Sequence, residues 1–248
     1  MGGDYISNDG NVDIEWTWQD TCGAGTDAVN VYYKDPALPT YTLLTSSPDA
    51  SDLIYAWDTS ALVDGTGYKI KLTSSCNTPD EVSTAFTFDS EAPSIVTGET
   101  GSDTLLTPNG GELLAGGEVY DITWTSGDIT DTNLGSTPIS LYYSVDDGSS
   151  WILIASGEAN DGSYLWTLPM VDSTEALVRL MVTDLAGNSA SDDSDDVFSI
   201  DSTDPSVSSV IASHYEISEA NAGETFSLLV TYSEPMSVVG PSIAFSPS

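Results

Sequence analysis

The stretch GGDYISNDGNVDIEW (Gly2–Trp16) aligns without a gap with GGELLAGGEVYDITW (Gly110–Trp124), 108 positions further along the chain. Later matches keep the same order, so that YKIKLTS (Tyr68–Ser74) aligns with VRLMVTD (Val178–Asp184). Landmarks that recur in order at a period of about 110 residues are typical of a tandem repeat. We therefore expect two copies of one structural unit.

Both copies of the opening stretch alternate between apolar and polar residues, as a half-buried β-strand does. Val12, Ile14 and Trp16 fall on one face, and Asp13 and Glu15 fall on the other. Turn signals such as NDG and DDG separate further short runs, and no helical period persists. About seven short strands per 100 residues indicate an all-β protein of tandem immunoglobulin-like β-sandwiches.

The chain divides into two nearly complete units and one partial unit. We place the first repeat at 1–90, the second repeat at 91–202 and the third segment at 203–248. The residues before the opening of the second repeat have no counterpart ahead of Gly2. The first repeat is therefore expected to lack its first strand, and the chain to be cut from a longer tandem array.

Acidic residues dominate the charge of the chain. Asp and Glu number 39 against 4 Lys and Arg among 248 residues, which gives a formal net charge of −35. This charge disfavours nucleic acid as a partner, and it favours cations or a salty medium that screens the repulsion. No run approaches about 18 consecutive apolar residues, so we expect no direct membrane insertion.

The stretch SVDDGSSW (Ser144–Trp151) fits the Asp-box pattern Ser-x-Asp-x-Gly-x-x-Trp. The pattern predicts a hairpin turn in which Asp146 caps backbone amides, Gly148 takes a positive φ and Trp151 packs beneath. Such boxes are structural in sialidases and lie far from the chemistry. We assign these three residues a structural role.

Catalytic chemistry finds little support in the sequence. His214 is the single histidine, and no general base is available to activate the abundant serines. The acids lie in loops of repeated modules rather than in one predicted cleft. The four tyrosines of the YY pairs could stack on sugars, but alternating strand aromatics more often belong to a core. We predict that the protein is not an enzyme.

Each repeat ends on an apolar strand that runs into acids and a proline, in FDSEAPSI (Phe88–Ile95) and FSIDSTDPSV (Phe198–Val207). In an immunoglobulin-like sandwich these seams should meet acidic loops of the neighbouring units. Gathered carboxylates repel unless a cation lies among them, and oxygen ligands without His or Cys select Ca²⁺. The alternative is that these acids are simply solvated, as in a halotolerant surface protein. The predicted Ca²⁺ ligands are Asp89, Glu91, Asp128, Asp131, Asp184 and Asn188 at the first seam, and Asp172, Glu175, Asp201, Asp204 and Glu234 at the second.

The openings of the units resemble known extracellular modules. TPNGGELLAGGEVYDITWTS (Thr107–Ser126) resembles bacterial Ig-like repeats that begin Pro-Asn-Gly-Gly-Glu, which are similar to the Ser/Thr-rich domain of fungal GPI-anchored cell-wall proteins. YEISEANAGETFSLLVTYSEPM (Tyr215–Met236) resembles a different Ig-like repeat of large bacterial surface proteins and adhesins. The resemblance implies an Ig-like fold in an extracellular protein.

We interpret the chain as a non-catalytic structural module of a large extracellular surface protein, serving as a stalk, an adhesin or an assembly array. The expected partners are neighbouring modules or copies of the same protein, with a cell-surface glycan or protein as a further candidate. One alternative is an accessory module of a secreted polysaccharide-degrading enzyme or peptidase. Another is a subunit of an extracellular filament or surface layer that uses strand complementation.

The two cysteines, Cys22 and Cys76, follow the second and sixth predicted strands of the first repeat. Those two loops lie at the same end of an immunoglobulin-like sandwich, so a disulfide is geometrically plausible and fits an oxidising compartment. The alternative is two unpaired thiols.

A Cys22–Cys76 disulfide would close a loop of about 50 residues and stabilise the first repeat by about 3–4 kcal/mol in the chain-entropy model. Intact-mass measurement under alkylating conditions should show no free thiol until the protein is reduced. Ready labelling of the native protein by a thiol reagent would show that the disulfide is absent.

Overall fold

The computed structural model describes residues 4–7, 10–17, 28–47, 53–74, 80–97, 103–215 and 218–235, and nearly all of its regular structure is β. Two short 3₁₀ helices cover Ser126–Asp128 and Glu219–Asn221. Cys22 and Cys76 lie outside the described residues, so the disulfide stays a prediction.

The strands of the first repeat are β1 Tyr5–Ile6, β2 Asn11–Glu15, β3 Val29–Lys34, β4 Thr42–Ser47, β5 Ile54–Asp58, β6 Gly65–Ser74, β7 Glu81–Val82 and β8 Phe86–Phe88. Those that follow are β9 Leu105–Thr107, β10 Leu113–Ala115, β11 Val119–Trp124, β12 Ile139–Ser144, β13 Ile152–Glu158, β14 Ser163–Thr167, β15 Ser173–Thr183, β16 Ser189–Asp193, β17 Phe198–Asp201, β18 Val207–Ala212 and β19 Leu228–Tyr232.

The second repeat is a sandwich of two sheets. One sheet has the order β14-β11-β9, and the other has the order β10-β17-β15-β12-β13, with β16 also paired to β15. The first strand is split between the sheets, since β9 pairs antiparallel with β11 while β10 pairs parallel with β17. Leu105, Ile122, Leu141 and Leu180 are fully buried between the two sheets. This strand order confirms the predicted immunoglobulin-like sandwich.

The first repeat has the same strand order. Its larger sheet runs β1-β8-β6-β3-β4 with β7 paired to β6, and β1 lies parallel to β8. Its smaller sheet is β2-β5, with Val12 opposite Trp57 and Ile14 opposite Tyr55. Among the described residues this sheet has two strands, whereas the smaller sheet of the second repeat has three. The described part of the first repeat contains no strand that corresponds to β9.

The third segment contributes the antiparallel hairpin β18–β19. All six residues of β18 are exposed, including Val210 at 57% and Ile211 at 59%. Among the described residues, the hairpin therefore presents apolar side chains that pack into no core. The proposed boundaries at 90 and 202 stay predictions, although each sheet is built from strands that lie on one side of them.

The Asp-box turn connects β12 to β13. Asp146 Oδ1 accepts hydrogen bonds from the Ser150 amide (2.9 Å) and from Ser144 Oγ (2.7 Å). Gly148 has φ +75°, and a Cβ at this position would meet the Trp151 ring at 3.5 Å. The Arg179 guanidinium lies 4.1 Å from the centre of the Trp151 ring and also pairs with Asp193. The hydroxyl and amide donors hold the pKa of Asp146 below its usual range, which fits a structural cap.

Strand β9 is held in place by a buried carboxylate. The Leu105 amide donates to Asp192 Oδ2 on β16 at 2.7 Å, and Asp192 is 6% exposed. Burial raises the pKa of Asp192 to about 6, the Leu105 amide opposes this rise, and the nearby carboxylates of Asp103, Asp195 and Asp193 add to it. The ionised form of Asp192 is therefore costly at neutral pH.

Asp192→Asn should raise the free energy of unfolding at neutral pH, since asparagine keeps an oxygen for the Leu105 amide without the charge. The raised pKa means that the folded state holds the proton more tightly, so the contribution of Asp192 to stability declines as pH rises from 3.8 to about 6. Chemical denaturation across this window should show a flatter pH dependence in the variant. Asp193→Asn, which loses the Arg179 pair, is the control and should be destabilised. Equal pH dependence in Asp192→Asn and the parent chain would contradict this assignment.

Candidate cation sites at the inter-repeat seams

The first seam docks directly onto the second repeat. After β8 the chain passes Asp89 and the buried Pro93, and Ser94 then forms a two-way backbone bridge with Thr130. Its amide donates to the Thr130 carbonyl at 2.9 Å, and the Thr130 amide donates back at 3.0 Å. This bridge places the end of the first repeat against the loop that follows β11.

Three carboxylates gather at this junction. Oxygen atoms of Asp89, Asp131 and Asp184 lie within 4.8 Å of one another, and Asp89 and Asp184 are 4% and 7% exposed. Asp89 comes from the end of β8, while Asp131 and Asp184 come from the loops after β11 and β15. The cluster therefore joins two repeats and is mostly withdrawn from water.

Two asparagines bridge the cluster. Asn133 Nδ2 donates to Asp89 Oδ2 at 2.6 Å, and Asn188 Nδ2 donates to Asp184 Oδ2 at 2.8 Å and to the Asp89 carbonyl at 3.0 Å. Backbone amides of Gly187 and Asn188 also bind Asp184 Oδ1, at 2.6 and 2.9 Å. These donors fix the orientation of the carboxylates and offset part of their mutual repulsion.

The electrostatics of the cluster suit a hard cation. Burial raises the pKa of Asp131, the Asn133 amide opposes this rise, and the Asp89 and Asp184 carboxylates add to it. Oxygen-only donors favour Ca²⁺ or Mg²⁺ over transition metals. Rotation of the Asn133 and Asn188 amides would exchange each Nδ2 for an Oδ1, which converts both groups from donors into ligands.

The second seam is built on Asp172, in the loop between β14 and β15. Its Oδ1 accepts the Ser202 amide at 2.8 Å and the Ser202 hydroxyl at 2.9 Å, and its Oδ2 accepts the Thr203 hydroxyl at 2.8 Å. These hydrogen bonds, led by the Ser202 amide, hold the pKa of Asp172 below its usual range. The Thr203 amide donates to Asp201 Oδ1 at 3.0 Å.

Glu234 of the third segment faces the acids of this seam. Burial raises the pKa of Glu234, and the negative charges of Asp201, Asp172 and Asp204 raise it further. The Ser206 amide donates to the Ser233 hydroxyl at 2.9 Å, which joins the segment before β18 to the loop after β19. At the first seam Asp89, which follows β8, thus lies near the loop after β11. At the second seam Asp201, at the end of β17, lies near Glu234 in the loop after β19.

The seams share a latch that the sequence interpretation did not include. Ser90 donates its amide (2.9 Å) and its hydroxyl (2.8 Å) to Asp64 Oδ1, as Ser202 does to Asp172. Asp64 and Asp172 are 108 positions apart, whereas the sequence alignment of Tyr68–Ser74 with Val178–Asp184 has an offset of 110. The strand pairing places Ile70 and Leu72 where Val178 and Leu180 lie in the second repeat, so that stretch of the alignment is two residues out of register and does not identify the pair. The Ser-Asp latch fixes the direction in which the chain leaves each sandwich.

The structure brings together some of the predicted ligands and leaves others apart. Glu91 and Asp128 are not members of the cluster at the first seam. Glu91 is exposed and its amide caps Asp89 Oδ1, while Asp128 ends a 3₁₀ helix. Glu175 is exposed and lies with Asp172 and Asp201 around a surface depression of about 530 Å³. Asn133, which the prediction omitted, contacts Asp89 directly.

Ser213, His214 and Glu224 form a row on the third segment. His214 Nδ1 lies 3.0 Å from Ser213 Oγ, and its Nε2 lies 2.8 Å from Glu224 Oε2. Ser213 and Glu224 are exposed, and Ser213 Oγ already accepts the Ser227 amide at 3.1 Å. Among the described residues, the row lies at the exposed connection between β18 and β19, and no other element encloses it.

Comparisons with known proteins do not assign the chain to a family. No family model and no curated protein matches it. The FN1–FN3 domains of chicken CNTN1 are 11% identical over 76% of this chain and 64% of that chain, with a TM-score of 0.46. The N-terminal four Ig domains of Dscam1 isoform 7.44 are 11% identical over 82% of this chain and 43% of that chain, with a TM-score of 0.28. The chain therefore spans less than two thirds of either structure, and the fold assignment rests on the strand order given above.

No helix among the described residues has the length and apolar character needed to cross a membrane.

Asp172→Ala should lower the melting temperature of the protein, because it removes the acceptor for Ser202 and Thr203. The depressed pKa of Asp172 means that its contribution is present above pH 3.8 and is lost as pH falls below that value. Glu175→Ala, which removes an exposed carboxylate three positions away, is the matched control and should leave the melting temperature unchanged. Calorimetry at neutral pH distinguishes the two, and equal melting curves would show that the latch contributes nothing.

Proposed function

We propose that this protein is a non-catalytic structural part of an extracellular surface protein, in which Ca²⁺ at the seams holds tandem sandwiches at a fixed angle. The single observation that carries the proposal is the cluster of Asp89, Asp131 and Asp184. It is shared between two repeats, it is largely buried, and it consists only of oxygen ligands.

A shared site couples cation binding to the arrangement of the repeats. Asp89 belongs to the first repeat, and Asp131 and Asp184 belong to the second. A cation that needs all three carboxylates binds only when the repeats are docked, so it stabilises that docking by mass action. The proposed result is a rod rather than a flexible chain, which suits a stalk or an assembly array.

Charge balance also supports a cation at this position. Three ionised carboxylates close together repel strongly in a partly buried site, and a divalent ion removes most of that cost. The nearby donors are neutral amides of Asn133 and Asn188. Lys71 and Arg179 are engaged with Asp80 and Asp193 on the sheets of the two repeats.

The acidic surface and the sandwich fold suit a protein that works outside the cell, as a secreted or surface-bound part. Neighbouring modules, further copies of the chain, or a glycan or protein of the cell surface are the proposed partners. The role of accessory module in a secreted polysaccharide-degrading enzyme or peptidase would use the same rigid spacing between sandwiches. A filament or surface-layer subunit would add contacts between copies.

Millimolar Ca²⁺ should raise the melting temperature of the protein and extend the particle in solution X-ray scattering. With a Kd of about 10⁻⁴–10⁻³ M, about 10 mM Ca²⁺ should contribute about 1.4–2.7 kcal/mol. NaCl at equal ionic strength separates specific binding from general screening. Asp131→Asn should abolish most of the Ca²⁺ effect, because it removes one charge from the cluster and keeps the acceptor for the Asn133 amide.

Asp128→Asn is the matched control, since it removes an acid from the same loop but outside the cluster. It should respond to Ca²⁺ as the parent chain does. Identical melting curves and scattering profiles in EGTA and in Ca²⁺ would mean that the seams are not calcium sites. Equal loss of the Ca²⁺ response in both variants would contradict the assignment to this cluster.

A further inference from the structure

The four basic residues of this acidic chain all lie on the outer faces of the larger sheets. Lys34 is on β3, Lys69 and Lys71 are on β6, and Arg179 is on β15. Ile70, which separates the two lysines of β6, packs against the core of the first repeat, so both lysines point away from that core. Three of the four basic side chains therefore share one face of the first repeat.

The strands of this face carry no acidic residue. Strands β3, β4 and β6 contain no Asp or Glu, although the chain has 39 of them. Asp80, in the segment before β7, lies 3.4 Å from Lys71, and its side chain is 49% exposed. Asp35 follows Lys34 in the sequence, and its carboxylate accepts the Ala37 amide. The three strands thus form a positively charged patch on a strongly negative protein.

Two of the lysines lie directly opposite each other. Lys34 on β3 is paired with Lys69 on β6, and the salt bridges among the described residues include neither of them. Arg179, in contrast, donates to both carboxylate oxygens of Asp193, at 2.6 and 2.7 Å. Like charges that face each other across a sheet are destabilising. An anion beside the two ammonium groups would remove that cost.

The two repeats carry the same row of side chains across this face. In the first repeat, the residues that lie opposite one another on β4, β3 and β6 are Leu43, Tyr32 and Lys71. In the second repeat, those on β13, β12 and β15 are Leu153, Tyr142 and Arg179. This correspondence fixes the register in which the two faces can be compared.

The second repeat shows that the fold does not require the lysine pair. Two positions beyond Tyr142, it has Ser144 opposite Leu177 where the first repeat has Lys34 opposite Lys69. Ser144 is buried and belongs to the Asp-box turn. The same strand pairing therefore forms without either charge, and the two lysines are a property of the surface of the first repeat.

Aromatic rings lie beside the patch. Of the two tyrosines in the first YY pair, Tyr33 packs inward on Trp57, with ring centres 5.3 Å apart. Tyr32 faces outward, and the Lys71 ammonium lies 4.8 Å from the centre of its ring and 4.9 Å from that of Tyr41. The patch thus combines cations with aromatic side chains on one open sheet face.

We propose that the outer face of β4, β3 and β6 binds an acidic polysaccharide, whose carboxylate or sulfate groups pair with Lys34 and Lys69 while a sugar ring stacks on Tyr32. Lys69 and Lys71 are two positions apart on one strand, about 7 Å, so the face offers a row of charges to an extended polymer. Sugar rings also have apolar C–H faces, which suit Tyr32 and the half-exposed Leu43.

An acidic protein would supply the charges without such ring faces, so a polysaccharide is the better match to this surface. The inference rests on the proposed extracellular function and names the chemistry of a partner for it. It does not require calcium at the seams.

Binding of the full chain to polymers of defined charge tests the proposal. Biolayer interferometry in EGTA at about 0.15 M NaCl compares polygalacturonate and dextran sulfate with neutral dextran and poly-L-glutamate. At this salt concentration the Debye length of about 8 Å limits repulsion from remote acids. Either acidic polysaccharide should bind, and neutral dextran should not. Absence of binding to both acidic polysaccharides would overturn the proposal, and equal binding of poly-L-glutamate would favour an acidic protein instead.

The lysine pair can be tested without disturbing the fold. Lys34→Gln together with Lys69→Gln should weaken binding about tenfold, as expected for the loss of two exposed ion pairs. The melting temperature should not fall, because the substitutions also remove a repulsion. Lys34→Arg together with Lys69→Arg should retain binding. Arg179→Gln removes a charge from the equivalent face of the second repeat and should bind as the parent chain does. A folded double Gln variant that binds as the parent chain does would overturn the assignment of this face.

Tyr32 separates ring stacking from simple charge attraction. Tyr32→Ala should weaken binding severalfold, whereas Tyr32→Phe keeps the ring and should retain it. Tyr142→Ala, at the equivalent position of the second repeat, is the matched control and should leave binding unchanged. Equal binding by Tyr32→Ala and Tyr32→Phe would overturn the stacking contact. Each variant should keep the Ca²⁺ response of the parent chain, so a failure at this face is distinguishable from a failure of the calcium sites.

Discussion

The arrangement of the repeats depends on the carboxylate of Asp89, which ends the last strand of one sandwich and lies among the loops of the next. It is nearly buried, and it contacts Asn133 while its carbonyl contacts Asn188. A buried carboxylate is tolerated only where donors or a cation compensate it. The orientation of the second repeat is therefore tied to a set of polar contacts that must be satisfied together, and the Ser94–Thr130 bridge adds backbone hydrogen bonds to the same junction.

A protein with so few basic residues satisfies its acids in another way. The carboxylates of Asp64, Asp146, Asp172 and Asp184 accept backbone amides or hydroxyls in turns and at seams. Such charge-assisted hydrogen bonds satisfy the oxygens of a carboxylate without a partner of opposite charge. Acid-rich turns thus serve as rigid connections, and screening by salt or bound cations relieves the remaining long-range repulsion.

The two repeats show how much one strand contributes to a sandwich. In the second repeat β9 covers the edge of β11 and buries Leu105 against both sheets. In the first repeat the same region is an apolar groove beside β2.

The sequence by itself determined the fold class, because the alternation of apolar residues and a repeat of about 110 positions are visible without any tertiary contact. It also indicated which seam acids would meet the loops after the second strands, since the position of each loop follows from the strand order. The sequence prediction of the Ca²⁺ ligands included Glu91 and Asp128, which lie outside the carboxylate cluster, and omitted Asn133, which contacts Asp89. Local sequence pattern does not show which side chains of a loop face the junction. Only the tertiary structure decides which side chains in a loop turn inward, because backbone bridges and competing caps select them. The raised pKa of Asp192 and the groove beside β2 also follow only from the tertiary structure. Each depends on strands that are distant in sequence and packed against one another.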